Sequence, residues 1–122
     1  MPQPDEITLT LPQEREFHRV AHLVLGGLAV RLELTIETLE DLQLALSTIL
    51  DRARGNGEVT VAMSLVDGTL ETSIGPVDVS AELEGGEDDD KLSLRRILWT
   101  VVDDVQVEGD RVRLLKKVNR HG

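Results

Sequence analysis

The chain has 122 residues, with 23 Asp and Glu against 13 Lys and Arg, and no cysteine. That length suits one domain around one core. The missing cysteine excludes a disulfide framework, a thiol nucleophile and a cysteine-ligated zinc or iron–sulfur site. The net charge of −10, with Phe17 and Trp99 as the only aromatic side chains, speaks against nucleic-acid binding. Such binding rests on Lys and Arg meeting phosphates and on aromatic rings stacking against bases.

The charge is uneven. Seven of the acids lie between Asp78 and Asp90, whereas the chain after Asp110 carries five bases and no acid. No run reaches the roughly 20 apolar residues of a membrane helix. The N-terminus, Met1 to Glu6, lacks the basic region and apolar run of a secretory signal, so the expectation is a cytoplasmic protein without a membrane partner.

In chain order, Ile7 to Leu11 alternates and is β-branched, which predicts a strand stopped at Pro12. From about Glu14 to Leu32 the apolar spacing predicts a helix. Phe17, Val20, Ala21, Val24, Leu28 and Leu32 form its core stripe, and His18, His22, Leu25 and Ala29 form a second, semi-apolar stripe beside it. Two such stripes are more than one sheet face covers, which points to a partner. Thr35 caps a second helix, with Leu39, Leu42, Leu46, Ile49 and Ala53 inward and Gly55-Asn56-Gly57 as its stop. Glu58 to Val66 and Thr69 to Ile74 alternate around Asp67-Gly68, a hairpin signal.

Val77 to Lys91 is an acidic connection, long for a loop. Leu92 to about Asp103 predicts a third helix, with Leu94, Ile97, Leu98, Val101 and Val102 inward; Trp99 is assigned to the core, with an interface anchor as its alternative. Val105 to Glu108 and Arg111 to Val118 form a last hairpin around Gly109-Asp110. This order predicts a two-layer α/β sandwich in one domain, residues 1–122 with a core over 7–118: a mixed, mostly antiparallel sheet with helices on one face.

The order and lengths resemble the histidine-kinase-like ATPase fold, and most of all the small bacterial anti-sigma factors that double as serine kinases. Phe17-His18-Arg19-Val20 is similar to that family's Phe-x-Arg-Val. Asp41-Leu42-Gln43-Leu44-Ala45-Leu46-Ser47 is similar to its run into the second-helix motif. Leu94-Arg95-Arg96-Ile97 to Asp103-Asp104-Val105, with Arg111-Val112-Arg113-Leu114, matches its last helix and hairpin.

The resemblance implies a nucleotide pocket, and at that pocket the sequence departs from the pattern. The family's second helix carries a Glu and an Asn four apart, for orienting the attacking group and for holding Mg²⁺. Here Thr48 and Arg52 stand in those places. Threonine is no general base near neutral pH, and guanidinium has no lone pair for a metal. The Asp-x-Gly-x-Gly box reads Ser73-Ile74-Gly75-Pro76-Val77, keeping Gly75 alone. The lid box Gly-x-Gly-Leu reads Lys91-Leu92-Ser93-Leu94, behind an acidic stretch that repels a triphosphate.

Changes at Thr48, Arg52, Ser73, Val77, Lys91 and Ser93 predict a pseudo-ATPase that needs no cofactor and serves as a binding scaffold. ATP and Mg²⁺ enter only under the alternative of a divergent serine/threonine kinase. A third reading is a subunit paired with an active relative. A counter-reading has Arg52 and Lys91 holding an anion without metal.

Other constellations have plainer readings. His18 and His22 have a zinc-compatible spacing, but Arg19 stands where an HExxH motif would continue. The acidic tract lacks a calcium-loop spacing. Nothing in the sequence brings Ser47 or Thr48 to a histidine as nucleophile to base. Asp51 and Arg52 read as a solvated helix end. Arg19 is the sharpest candidate for contact with a protein, flanked by His18 and His22, since the resemblance gives that arginine a partner-binding role. The expected partner is a sigma factor or an antagonist-type domain. A homodimer through the first strand and first helix is expected beside it.

Overall fold

The computed structural model describes residues 6–52, 57–77 and 94–118, with Arg15 and Arg52 described by backbone alone. Its elements are β1 (Ile7–Pro12), a 3-10 turn (Arg15–Phe17), α1 (His18–Leu32), α2 (Ile36–Arg52), β2 (Glu58–Val66), β3 (Thr69–Gly75), α3 (Leu94–Val101), β4 (Asp104–Glu108) and β5 (Arg111–Lys117). The strands form one sheet in the order β1-β2-β3-β5-β4. Every pairing is antiparallel, so the expected mixed sheet is corrected to an antiparallel one.

The register explains why one face is buried. Leu9 and Leu11 stand opposite Val61 and Val59, and Val61 stands opposite Ile74. Ile74 and Thr72 face Val112 and Leu114, which in turn face Val107 and Val105. With a side-chain period of two, these residues line a single face. On it Val59, Val61, Met63, Leu70, Ile74, Val112 and Leu114 are buried. They meet Ala21, Leu25, Leu28 and Leu32 of α1, Leu42, Ala45, Leu46, Ile49 and Leu50 of α2, and Leu94 and Leu98 of α3. Each fully buried Leu, Ile or Val side chain contributes about 1.5–3 kcal/mol from leaving water. The other face carries Thr8, Thr10, Thr60, Ser64, Glu71, Ser73 and Arg113, none of them buried.

Local chemistry fixes the boundaries. α1 ends where Glu33 turns left-handed (φ 59°), and the Leu34 N–H donates back to the Ala29 carbonyl at 2.9 Å. α2 starts under its expected cap, with the Thr35 hydroxyl accepting from the Thr38 N–H at 3.1 Å. Asp67 and Gly68, both at positive φ, make the two-residue β2–β3 hairpin. Of the Gly55-Asn56-Gly57 stop after α2, only Gly57 is described; Ala53 and the acidic connection after Val77 lie outside the described residues.

Two expectations about apolar residues are corrected. Val20, assigned to the α1 core stripe, is 39% exposed, and Trp99, assigned to the core, is 45% exposed. In both helices the inward face is already filled by other side chains: Ala21, Leu28 and Leu32 in α1, and Leu94, Leu98 and Val101 in α3. Among the described residues no helix is long and apolar enough to cross a membrane.

Candidate functional site

Three places bear on function: the region of α2 and the β3 end, the seam between α1 and α2, and the outer face of α1.

On α2, Thr48 is buried, and its hydroxyl donates to the Leu44 carbonyl one turn back, at 2.7 Å. Such back-bonding satisfies a hydroxyl inside a helix. At the end of β3, Gly75 and Val77 are both buried, Val77 as part of the core. Gly75 has a local reason to be glycine. A Cβ there would lie 3.1 Å from the Asp110 carbonyl oxygen and 3.3 Å from the Arg111 Cα. The Val77 N–H also donates to that Asp110 carbonyl, at 2.8 Å, which locks the strand end to the β4–β5 turn.

Ser73 does not join Thr48. Its neighbours Thr72 and Ile74 face the helices, so Ser73 projects from the opposite face of the sheet, where the Arg111 guanidinium donates to its hydroxyl at 2.9 Å. The residue of β3 that does face the helices there is Thr72. It is buried, and among the described residues its hydroxyl has no hydrogen-bond partner. Sequence reasoning missed Thr72 because the glycine-box pattern fixes a position by counting from Gly75, whereas the alternation of the strand decides the face. Lys91, Ser93 and the side chain of Arg52 lie outside the described residues.

At the α1–α2 seam the two helices run antiparallel, and the second α1 stripe packs inward. His18 Nδ1 lies 3.4 Å from Asp51 Oδ1, and His22 Nε2 lies 2.5 Å from the Ser47 hydroxyl. Both histidines are half-buried, and Leu25 and Ala29 are buried. The helical period makes these contacts, since His18 and His22 repeat every four residues on α1, as do Ser47 and Asp51 on α2. The structure therefore brings together a histidine and a serine that the sequence left apart, and Asp51 is paired instead of purely solvated. No group of three or more metal-ligating side chains converges among the described residues.

The outer face of α1 carries the apolar surface that lacks cover. Leu23 is 70% exposed and Val30 80% exposed, with Val20 and exposed Gly27 between and beside them at helical spacing. Arg19 is exposed on the flank of this stripe, and among the described residues its guanidinium has no ion-pair or hydrogen-bond partner. The surplus apolar face inferred from the sequence thus exists, but it is built from Val20, Leu23 and Val30, not from the histidine stripe. β1 is an edge strand.

A five-stranded antiparallel sheet with three helices, in this element order, has the histidine-kinase-like ATPase architecture. Comparison with solved structures agrees: the chain matches the structure of the RsbU and RsbW domains of Rv1364c from Mycobacterium tuberculosis with a TM-score of 0.69. That match is at 13% identity and covers 99% of this chain but 34% of the other. Sequence comparison extends the likeness. The chain is 28% identical to serine-protein kinase RsbW of Listeria monocytogenes serotype 4a and of Listeria innocua, over 94% of its own length and 88% of theirs. No protein-family model matches the sequence. In sequence and in fold the chain is thus similar to the RsbW serine-protein kinases, the resemblance that its residue order carries.

Proposed function

We propose that the chain is an anti-sigma-like regulator that acts by binding protein and does not transfer phosphate. The observation that carries this reading is Thr48. A buried hydroxyl committed to the Leu44 carbonyl stands where the family resemblance calls for the carboxylate that activates the phosphate acceptor. Val77, buried in the core where a phosphate-approaching glycine is expected, supports the same reading. What is kept is a scaffold that masks a partner by shape and charge.

The outer face of α1 is the surface we assign to that partner, a sigma factor or an antagonist-type domain, with Arg19 as a bidentate donor to a partner carboxylate. The exposed stripe of Val20, Leu23 and Val30 on α1, and the open edge of β1, also support a homodimer through the first strand and first helix.

The test is nucleotide binding. With millimolar ATP and Mg²⁺ the melting temperature stays where it is, and no label from γ-labelled ATP reaches any protein. A rise in melting temperature, which ligand binding must cause, overturns the reading in favour of a divergent serine kinase. The likeness to named serine-protein kinases over nearly the whole chain is what favours that second reading. Arg19→Ala is expected to weaken partner capture by more than about 1 kcal/mol with stability unchanged; calorimetric titration and thermal melting check the two halves.

A further inference from the structure

We infer that the outer edge of β4 is a strand-addition surface for β4 of a second copy, and that the Asp104 carboxylate holds it shut. This surface is separate from the α1 face and does not depend on whether nucleotide binding is lost.

The sheet ends in two edge strands, β1 and β4. An edge offers N–H and C=O groups to any other strand. Which groups of β4 lie on its edge follows from the β5 side. The Val118 N–H donates to the Gly68 carbonyl on the β3 side, at 3.0 Å, and the Lys117 N–H donates to Asp103 Oδ2 on the β4 side, at 2.7 Å. Alternation then turns Arg111, Arg113 and Leu115 toward β4, where they pair with Glu108, Gln106 and Asp104. Val105 and Val107 therefore direct their N–H and C=O groups outward.

Asp104 covers one of these groups. Its Oδ1 accepts from the Val105 N–H at 3.0 Å, and its Oδ2 accepts from Gln106 Nε2 at 3.1 Å, which holds the carboxylate in place. The register identifies what is kept out. When β4 pairs antiparallel with itself over its whole length, Val105 and Val107 of the second copy exchange both backbone bonds. The N–H that Asp104 takes is one which this pairing needs. The same register sets Asp104 opposite Glu108 of the second copy, and like charges across a pair disfavour it. Without the carboxylate the two strands fit: Val105 and Val107 pack against the core, and their counterparts extend the same apolar row. β1, in contrast, has no charged residue between Ile7 and Pro12.

Sedimentation velocity of the full chain over a range of concentrations tests this. Asp104→Ala is expected to raise the mass at least about twofold over the unsubstituted chain at the same concentration. Asp104→Val, which favours strands, repeats the test, and circular dichroism checks that both variants keep their structure. Asp104→Asn keeps an oxygen for the Val105 N–H and is expected to keep the original mass. Val107→Pro added to Asp104→Ala removes an outward N–H and no bond to β5, so it returns the mass to the original value. Clumping of a merely weakened fold would instead grow with that second change. An unchanged mass in Asp104→Ala and Asp104→Val, association of Asp104→Asn to the same extent, or persistence of the assembly in D104A/V107P overturns the proposal.

Discussion

Thr72 and Gly75, three residues apart on β3, show how differently one strand treats its side chains. Thr72 buries a hydroxyl that has no partner among the described residues, in the middle of the sheet opposite Met63 and Leu114. A buried, unpaired hydroxyl is unfavourable by about 1–3 kcal/mol, and an isosteric apolar group relieves it. Thr72→Val is expected to raise stability by about 1 kcal/mol, read from the urea midpoint at unchanged slope. Gly75 behaves in the opposite sense. Backbone atoms of Asp110 and Arg111 occupy the space a Cβ needs, and backbone cannot swing aside as a side chain can. Gly75→Ala is expected to lose about 1–3 kcal/mol in the same measurement.

The helices show what the sequence made legible and what it hid. Strand limits, the Thr35 cap and the Asp67-Gly68 turn were readable because each rests on local chemistry: alternation, a hydroxyl before a helix, a backbone that needs positive φ. The faces of α1 were not readable. Apolar residues lie all around that helix, so a 3.6-residue period fits more than one stripe, and it puts Val20 in the core and gives no place to Leu23 or Val30. Trp99 was misplaced for a related reason. Hydrophobicity says that a ring prefers burial, but only the packed molecule shows that α3 has no room left inward.

The candidate site divides similarly: Thr48 is buried on α2, whereas Ser73 lies on the sheet face turned away from the helices, where strand alternation puts it.

The glycines of α1 give the element its own prediction. A Cβ at Gly26 or Gly27 would meet nothing within 4 Å, and neither residue is left-handed, so the fold itself requires neither. Alanine at each is expected to stabilise the helix, by up to about 1 kcal/mol. If α1 docks a partner through its exposed stripe, Gly27→Ala strengthens the fold yet weakens capture, and Gly26→Ala strengthens the fold alone. Thermal melting and a pull-down on the same two variants separate the effects.

At the scale of the molecule, Lys116 joins three elements. Its ammonium group donates to the Val101 carbonyl at the end of α3, at 2.8 Å, and lies 3.3 Å from Asp41 Oδ2 on α2, while its backbone belongs to β5. The side chain is only 15% exposed, and its cation meets the carbonyl end of a helix, where positive charge is favoured. Lys116→Met keeps the aliphatic stem and removes the donor. It is expected to cost about 1.5–3 kcal/mol, with the midpoint of chemical unfolding as the measurement.

The strand order has a consequence for the time course of folding. β5, the last strand in the sequence, lies between β3 and β4, with Val112 and Leu114 at the centre of the core. Until Arg111 to Lys117 has left the ribosome, β3 has one neighbour instead of two and β4 has none. The early hairpin of β2 and β3 therefore waits with an open flank, and synthesis itself delays closure of the sheet.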